Sequence, residues 1–230
     1  MTALRVLASP ADAGLAGPST DHPSGPIVAF GDAAGPAPPA VRWLDREPRE
    51  DDRPAERTIA PAGEPLWRRA PWPAAEALFD LAPPRGEVAL LVGADNPARE
   101  AILERAASRG VGLELVERLD AAALARCACV VFAESPGAAL PARAPAVLAA
   151  RRLLIVPRLE TTFGLQDGLD HLQFADADMA VTFVEAYRRG PAVFARMLVW
   201  GAVAARPQRA SVVYGRLAAD LRLEDAGAPG

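Results

Sequence analysis

Three polar segments of this sequence carry residue types suited to holding an anionic ligand. The first is Gly93-Ala94-Asp95-Asn96-Pro97, between an apolar run and a helical pattern. A glycine at such a turn lets backbone amides approach a phosphate, and a helix start adds positive partial charge. Arg99 is the cation at hand. The segment is not a G-x-G-x-x-G fingerprint, and Asp95 would repel phosphate. A capped helix behind a turn glycine accounts for the same residues. The second segment is Glu134-Ser135-Pro136-Gly137. Its carboxylate could accept hydrogen bonds from ribose or sugar hydroxyls, or could simply be a solvated loop acid. The third is Pro157-Arg158-Leu159-Glu160-Thr161-Thr162-Phe163-Gly164, running on to Asp167-Gly168-Leu169-Asp170-His171. Arg158, the Thr161 and Thr162 hydroxyls and free amides could hold a diphosphate. The bland alternative is a surface loop with Asp-Gly turn chemistry, pinned to the core by Phe163.

Other reactive residues are few. His171 has no nearby residue that looks like a paired nucleophile, so a structural or solvent-facing role is expected. Cys127 and Cys129 flank Ala128 at the start of an apolar run, which fits buried packing better than a metal site. The 230 residues include 25 basic and 29 acidic side chains, for a net charge of −4, and every basic one is arginine. With no lysine, Schiff-base, phosphate-loop and other lysine chemistry is excluded. Two histidines and two cysteines are too few for a zinc ribbon or a disulfide scaffold. The acidic balance argues against nucleic acid as a partner. No apolar window reaches the ~18 residues of a membrane span, and no leader pattern opens the chain, so a cytoplasmic protein without a transmembrane segment is expected.

The elements that must position these segments divide near residue 85. Of the 23 prolines, 15 lie at or before Pro84. Residues 1–85 therefore read as a Pro/Ala/Gly-rich segment, with short strands or extended pieces at Leu4–Leu7, Ile27–Phe30, Val41–Leu44 and Thr58–Ala60. Pro73 could open a short helix ending near Leu81. Residues 86–222 read as a regular α/β domain, and 223–230 as a flexible tail. Val88–Val92, Gly112–Val116, Cys129–Ala133 and Leu153–Pro157 are apolar runs of strand length. Helical patterns lie between them: Pro97 to about Gly110, Asp120–Arg126 and about Ala142–Arg151. A helix over about Asp178–Arg189 follows, then two more broken near Pro207. Arg206, Arg209, Arg216 and Arg222 are expected on a wet face that could meet an acidic partner. Such alternation implies right-handed crossovers and a Rossmann-like open parallel sheet with flanking helices. Ligands of such sheets bind beyond the carboxyl ends of the strands, where all three polar segments fall.

From about Gly86 to Leu221 the pattern resembles the C-terminal, nucleotide-sugar-binding half of GT-B type (group 1) glycosyltransferases. The likeness rests on Val88–Gly93, on Cys129–Gly137, on Leu153–Pro157 followed by Gln166–Leu172, and on Phe174-Ala-Asp176-Ala-Asp178 opening a helix. It implies a single GT-B-like half whose donor, a nucleotide-sugar, is a substrate; no cofactor is expected. By this resemblance Glu134 is the catalytic, sugar-holding acid. Gly93, Asn96, Arg99, Ser135, Arg158, Thr161 and Thr162 contact the nucleotide-sugar, and no metal is implied. The sequence also departs from the family. No acid near Ala142–Ala146 matches the family's second glutamate, and the family's A-x-G-x-P stretch is Ala149-Ala150-Arg151-Arg152-Leu153 here. The proline-broken first 85 residues look too short for an acceptor-binding half. A partner chain or homodimer would then be needed to close the cleft over both substrates. The alternative is a degenerate, non-catalytic binding or scaffold module, its first third docking a partner.

Overall fold

The computed structural model describes residues 5–7, 27–30, 41–43, 57–60, 68–69, 71–84, 87–134 and 139–225, with side chains from 71 to 219. Ser135, with Pro136 and Gly137, lies outside the described residues.

The proline-rich region contributes five short strands, β1 (Arg5–Leu7), β2 (Ile27–Phe30), β3 (Val41–Trp43), β4 (Arg57–Ala60) and β5 (Arg68–Arg69). Four of them fall on the short apolar runs of the sequence, which are rich in β-branched and aromatic residues. They pair in chain order, all parallel, into one sheet. The fifth, Arg68–Arg69, carries no apolar signal.

A second sheet also has five strands, β6 (Ala89–Val92), β7 (Glu114–Val116), β8 (Cys129–Phe132), β9 (Leu153–Pro157) and β10 (Leu172–Phe174). All are parallel, in the order β10-β9-β8-β6-β7. The helices are α1 (Glu76–Phe79), α2 (Pro97–Ser108), α3 (Ala121–Arg126), α4 (Ala144–Ala149), α5 (Ala177–Arg189), α6 (Ala195–Ala204) and α7 (Ala210–Asp225). Asn96, Asp120 and Asp176 cap α2, α3 and α5 by accepting the amide three residues on, as short polar side chains at helix starts do.

The central strands are buried on both faces, so alternate residues serve opposite halves of the core. Leu90, Val92, Val130, Phe132, Leu154 and Val156 meet α1, α3 and α4 on one side. Ala89, Leu91, Val131, Leu153 and Ile155 meet α2 and α5 on the other. Charge also joins α2 to α5. Arg109 reaches Glu185 at 2.6 Å, Asp178 at 3.1 Å and the Thr182 hydroxyl at 2.9 Å, and Arg105 pairs with Asp178.

Helix α4 ends unusually. Arg151 stands in the left-handed region at φ 54°. Its amide donates to Leu148 O at 2.9 Å and that of Arg152 to Val147 O at 3.1 Å. This is a Schellman ending, whose left-handed residue is usually glycine. Arg152 turns inward and is 2% exposed. It donates to Ala150 O (2.7 Å), Leu124 O (2.8 Å), Ala82 O (3.0 Å) and Ala125 O (3.5 Å). Helix α6 crosses α4 closely at Gly201, where a Cβ would stand 2.9 Å from Asp170 O and from Leu148 Cδ2.

Candidate functional site

The strand order places the candidate site. Chain order reverses between β6 and β8, which are adjacent, with β7 beyond one and β9 beyond the other. In open α/β sheets the crevice outside the carboxyl ends at such a reversal is where ligands bind. The loops meeting there follow β6, β8 and β9, and these carry the residues singled out in the sequence.

The first loop is packed closely onto the second. A Cβ on Gly93 would lie 3.0 Å from Ala133 O, so glycine is needed for this approach. Asn96 Nδ2 crosses the reversal point and donates to Ala133 O at 2.7 Å, while its Oδ1 accepts the Arg99 amide at 2.9 Å. Arg99 pairs with Asp95 and leans on Gly93 O at 3.5 Å. Gly93, Asn96 and Arg99 are thus brought together, and they bond mainly to one another and to Ala133. One donor remains over: Arg99 Nε is buried with no hydrogen-bond partner among the described residues. Glu134 follows Ala133 and is half-buried.

The third loop is tied to both neighbours. Leu140 N donates to Thr161 O at 2.9 Å, pairing Ala139 with Thr161, and Arg158 N donates to Phe174 O at 3.0 Å. The loop turns at Phe163 and Gly164, with φ of 52° and 87°. A left-handed phenylalanine is strained. Its side chain packs against the core with Leu159 and Leu165, as the sequence suggests. Beneath it lies an apolar cavity of about 60 Å³ lined by Leu140, Pro145, Leu148, Phe163 and Leu165. That is less than half the ~150 Å³ that admits a benzene ring. Arg158 and Thr161 are exposed and Thr162 is half-buried. The Arg158 guanidinium and the two threonine hydroxyls have no hydrogen bond or ion pair to the described residues. Among the described residues of this loop these groups keep their hydrogen-bonding capacity, as does the exposed Glu160 carboxylate between them.

The turn at Asp167–His171 is held by its own hydrogen bonds. Asp170 Oδ2 accepts Gln166 N at 2.9 Å, Gly168 N donates to His171 O at 2.8 Å, and Asp167 Oδ1 accepts Gln173 N at 2.7 Å. His171 is fully buried, with Nε2 3.1 Å from the Gln173 amide nitrogen and Nδ1 unpartnered among the described residues. Burial lowers its pKa, against the nearby Asp167 and Asp170 carboxylates. The imidazole is therefore neutral at pH 7. Cys127 and Cys129 belong to opposite halves of the core. Burial raises their thiols to about 11 and about 12, so neither is a nucleophile or a ligand. Among the described residues no group of His, Cys, Asp and Glu could hold a metal ion.

Sequence reasoning missed strand β10 and its Gln173, whose side chain accepts Leu159 N at 3.4 Å and so orients the start of the third loop. The strand has three residues with a polar one at its centre, below the length at which alternation is readable.

No protein-family model matches the sequence, and no curated protein matches it. Among solved structures the chain is similar to one titled "Crystal Structure of TarM", at 8% sequence identity and a TM-score of 0.49, over 84% of this chain and 54% of that one. The chain thus spans about half the length of that structure.

Proposed function

We propose that this chain is a glycosyltransferase-like protein that binds a nucleotide-sugar along the carboxyl edge of its second sheet. The observation that carries the reading is the convergence of three loops at the reversal of strand order, with Arg158, Thr161 and Thr162 left uncommitted there. In this reading Arg158 and the two hydroxyls take the diphosphate. Gly93, Asn96 and Arg99 shape the adjoining wall, with Arg99 Nε as a spare donor. Ser135 is assigned to the same ligand from the sequence alone. Glu134 holds the sugar. Transfer would proceed by stabilising the charge of the departing diphosphate with Arg158 and loop amides, the acceptor arriving on a partner chain or a second copy.

A non-catalytic binding module is the second reading. It is favoured by the first loop, where Asn96 and Arg99 satisfy their own backbone and an exposed Asp95 faces any approaching phosphate. The two readings separate in two steps. A panel of UDP, GDP and their sugars is expected to raise the melting temperature by about 5–10 °C at a hundredfold excess over Kd. Arg158→Ala should remove most of the shift. No shift across the panel refutes ligand binding on this edge. A shift without slow hydrolysis of the sugar donor, or with hydrolysis unaffected by Glu134→Gln, leaves the binding module.

A further inference from the structure

We propose that α6 docks on the surface of an anionic lipid membrane. This helix is apolar nearly all round, a composition expected for a fully covered helix or one that meets lipid. Here only one side is covered. Phe194, Met197 and Leu198 pack against the core, and Gly201 is buried. The other side presents Arg196, Val199, Trp200 and Val203 at helical spacing, flanked by Val193 and Arg206 in the short 3-10 turns that precede and follow α6. Val193 is 81% exposed, Val199 57%, Trp200 42% and Val203 36%.

Charge selects the occupant. Between residues 186 and 219 there are six arginines and no acid, in a chain of net charge −4; of these, Arg189 pairs with Glu185 and Arg209 with Glu76. Arg196 and Arg206 are exposed and have no partner among the described residues. A second copy meeting this stripe about a twofold axis would set Arg196 against the stripe's own residues, none of which is a carboxylate. An anionic lipid surface suits each part: valines and the tryptophan body enter the acyl boundary, and the guanidinium groups rise to the headgroup phosphates. At ten residues the helix is ~15 Å long, half the thickness of a bilayer core, so it lies along the surface rather than across it.

The test is sedimentation of the full chain with vesicles of phosphatidylcholine, alone or with phosphatidylglycerol. Binding is expected only to the second kind and should weaken as salt rises. Arg196→Gln and Arg206→Gln should each weaken partition roughly 5-fold. Trp200→Ser should abolish it without lowering the melting temperature; Val199→Ser is the companion variant should the first misfold. Equal partition to both vesicle types, or none, overturns the proposal. So does a dimer in solution that Trp200→Ser dissolves, which makes the occupant a second copy. Binding of polyglutamate as tight as that of the vesicles, through the same arginines, makes it an acidic protein.

Discussion

Replacing Arg152 by methionine should destabilise the fold by about 2 kcal/mol. Arg152 is 2% exposed and, among the described residues, its guanidinium has no carboxylate partner. Its charge is met instead by carbonyls at the ends of two helices. Leu124 O and Ala125 O close α3, and Ala150 O closes α4, where aligned peptide dipoles leave partial negative charge. Ala82 O completes the cage. Burial lowers the pKa of this cation, so part of the attraction is offset by lost hydration. Methionine matches the stem but takes the guanidinium from two buried carbonyls, Leu124 O (2.8 Å) and Ala150 O (2.7 Å), whereas Ala82 is exposed and water can replace its donor. At ~1 kcal/mol for each buried acceptor that loses its donor, the loss is about 2 kcal/mol. Arg152→Lys should fall between, because an ammonium keeps the charge but cannot span the fork. Urea denaturation reads the effect as a lower midpoint at unchanged slope. A methionine variant within about 0.5 kcal/mol of the parent would show that dehydration of the cation cancels its hydrogen bonds, and the account of Arg152 as a stabilising tie would fail.

Three further outcomes are expected. Arg151→Gly should raise stability by about 0.5–1 kcal/mol in the same assay, since it relieves a left-handed arginine at φ 54°; a loss would mean the side chain contributes more than its backbone strain costs. Gly201→Ala should lower stability by about 1–3 kcal/mol, because its Cβ would meet Asp170 O, a backbone atom, at 2.9 Å. Stability should also fall at alkaline pH. The Cys127 and Cys129 thiols titrate near 11 and 12 when folded against an ordinary 9.0. The unfolded chain therefore loses these protons first, and stability declines as pH rises from about 9 to 11, by up to ~1.4 kcal/mol per pH unit for each thiol. A Cys127→Ala/Cys129→Ala double variant should flatten that slope, and an unchanged slope would assign it to other groups.

Much of the second sheet was legible because its central strands are buried on both faces and so read as unbroken apolar runs. The helix starts near Pro97 and Asp120 and the break near Pro207 followed from local rules for helix ends. What stayed hidden was non-local. Asn96 reads as a helix cap, but its second bond, across to Ala133, exists only because β6 and β8 are neighbours. The pair Arg151-Arg152 reads as a missing glycine; nothing in the letters says that the first residue adopts glycine's backbone and the second enters the core. The first sheet shows the opposite case. Its short strands were visible one at a time, but runs of three or four residues separated by prolines carry no sign of pairing with one another.

The Arg105 and Arg109 contacts to Asp178 and Glu185 bear on how the chain assembles during synthesis. The partners are separated by 73 and 76 residues, so one side of α2 stays unclad until the ribosome has released all of α5. Until then Ile102 and Ala106 lack their cover. A nascent chain halted before Ala177 would display that apolar ridge, and with it a hazard of clumping or chaperone capture that ends only when the last strand and its helix close over it.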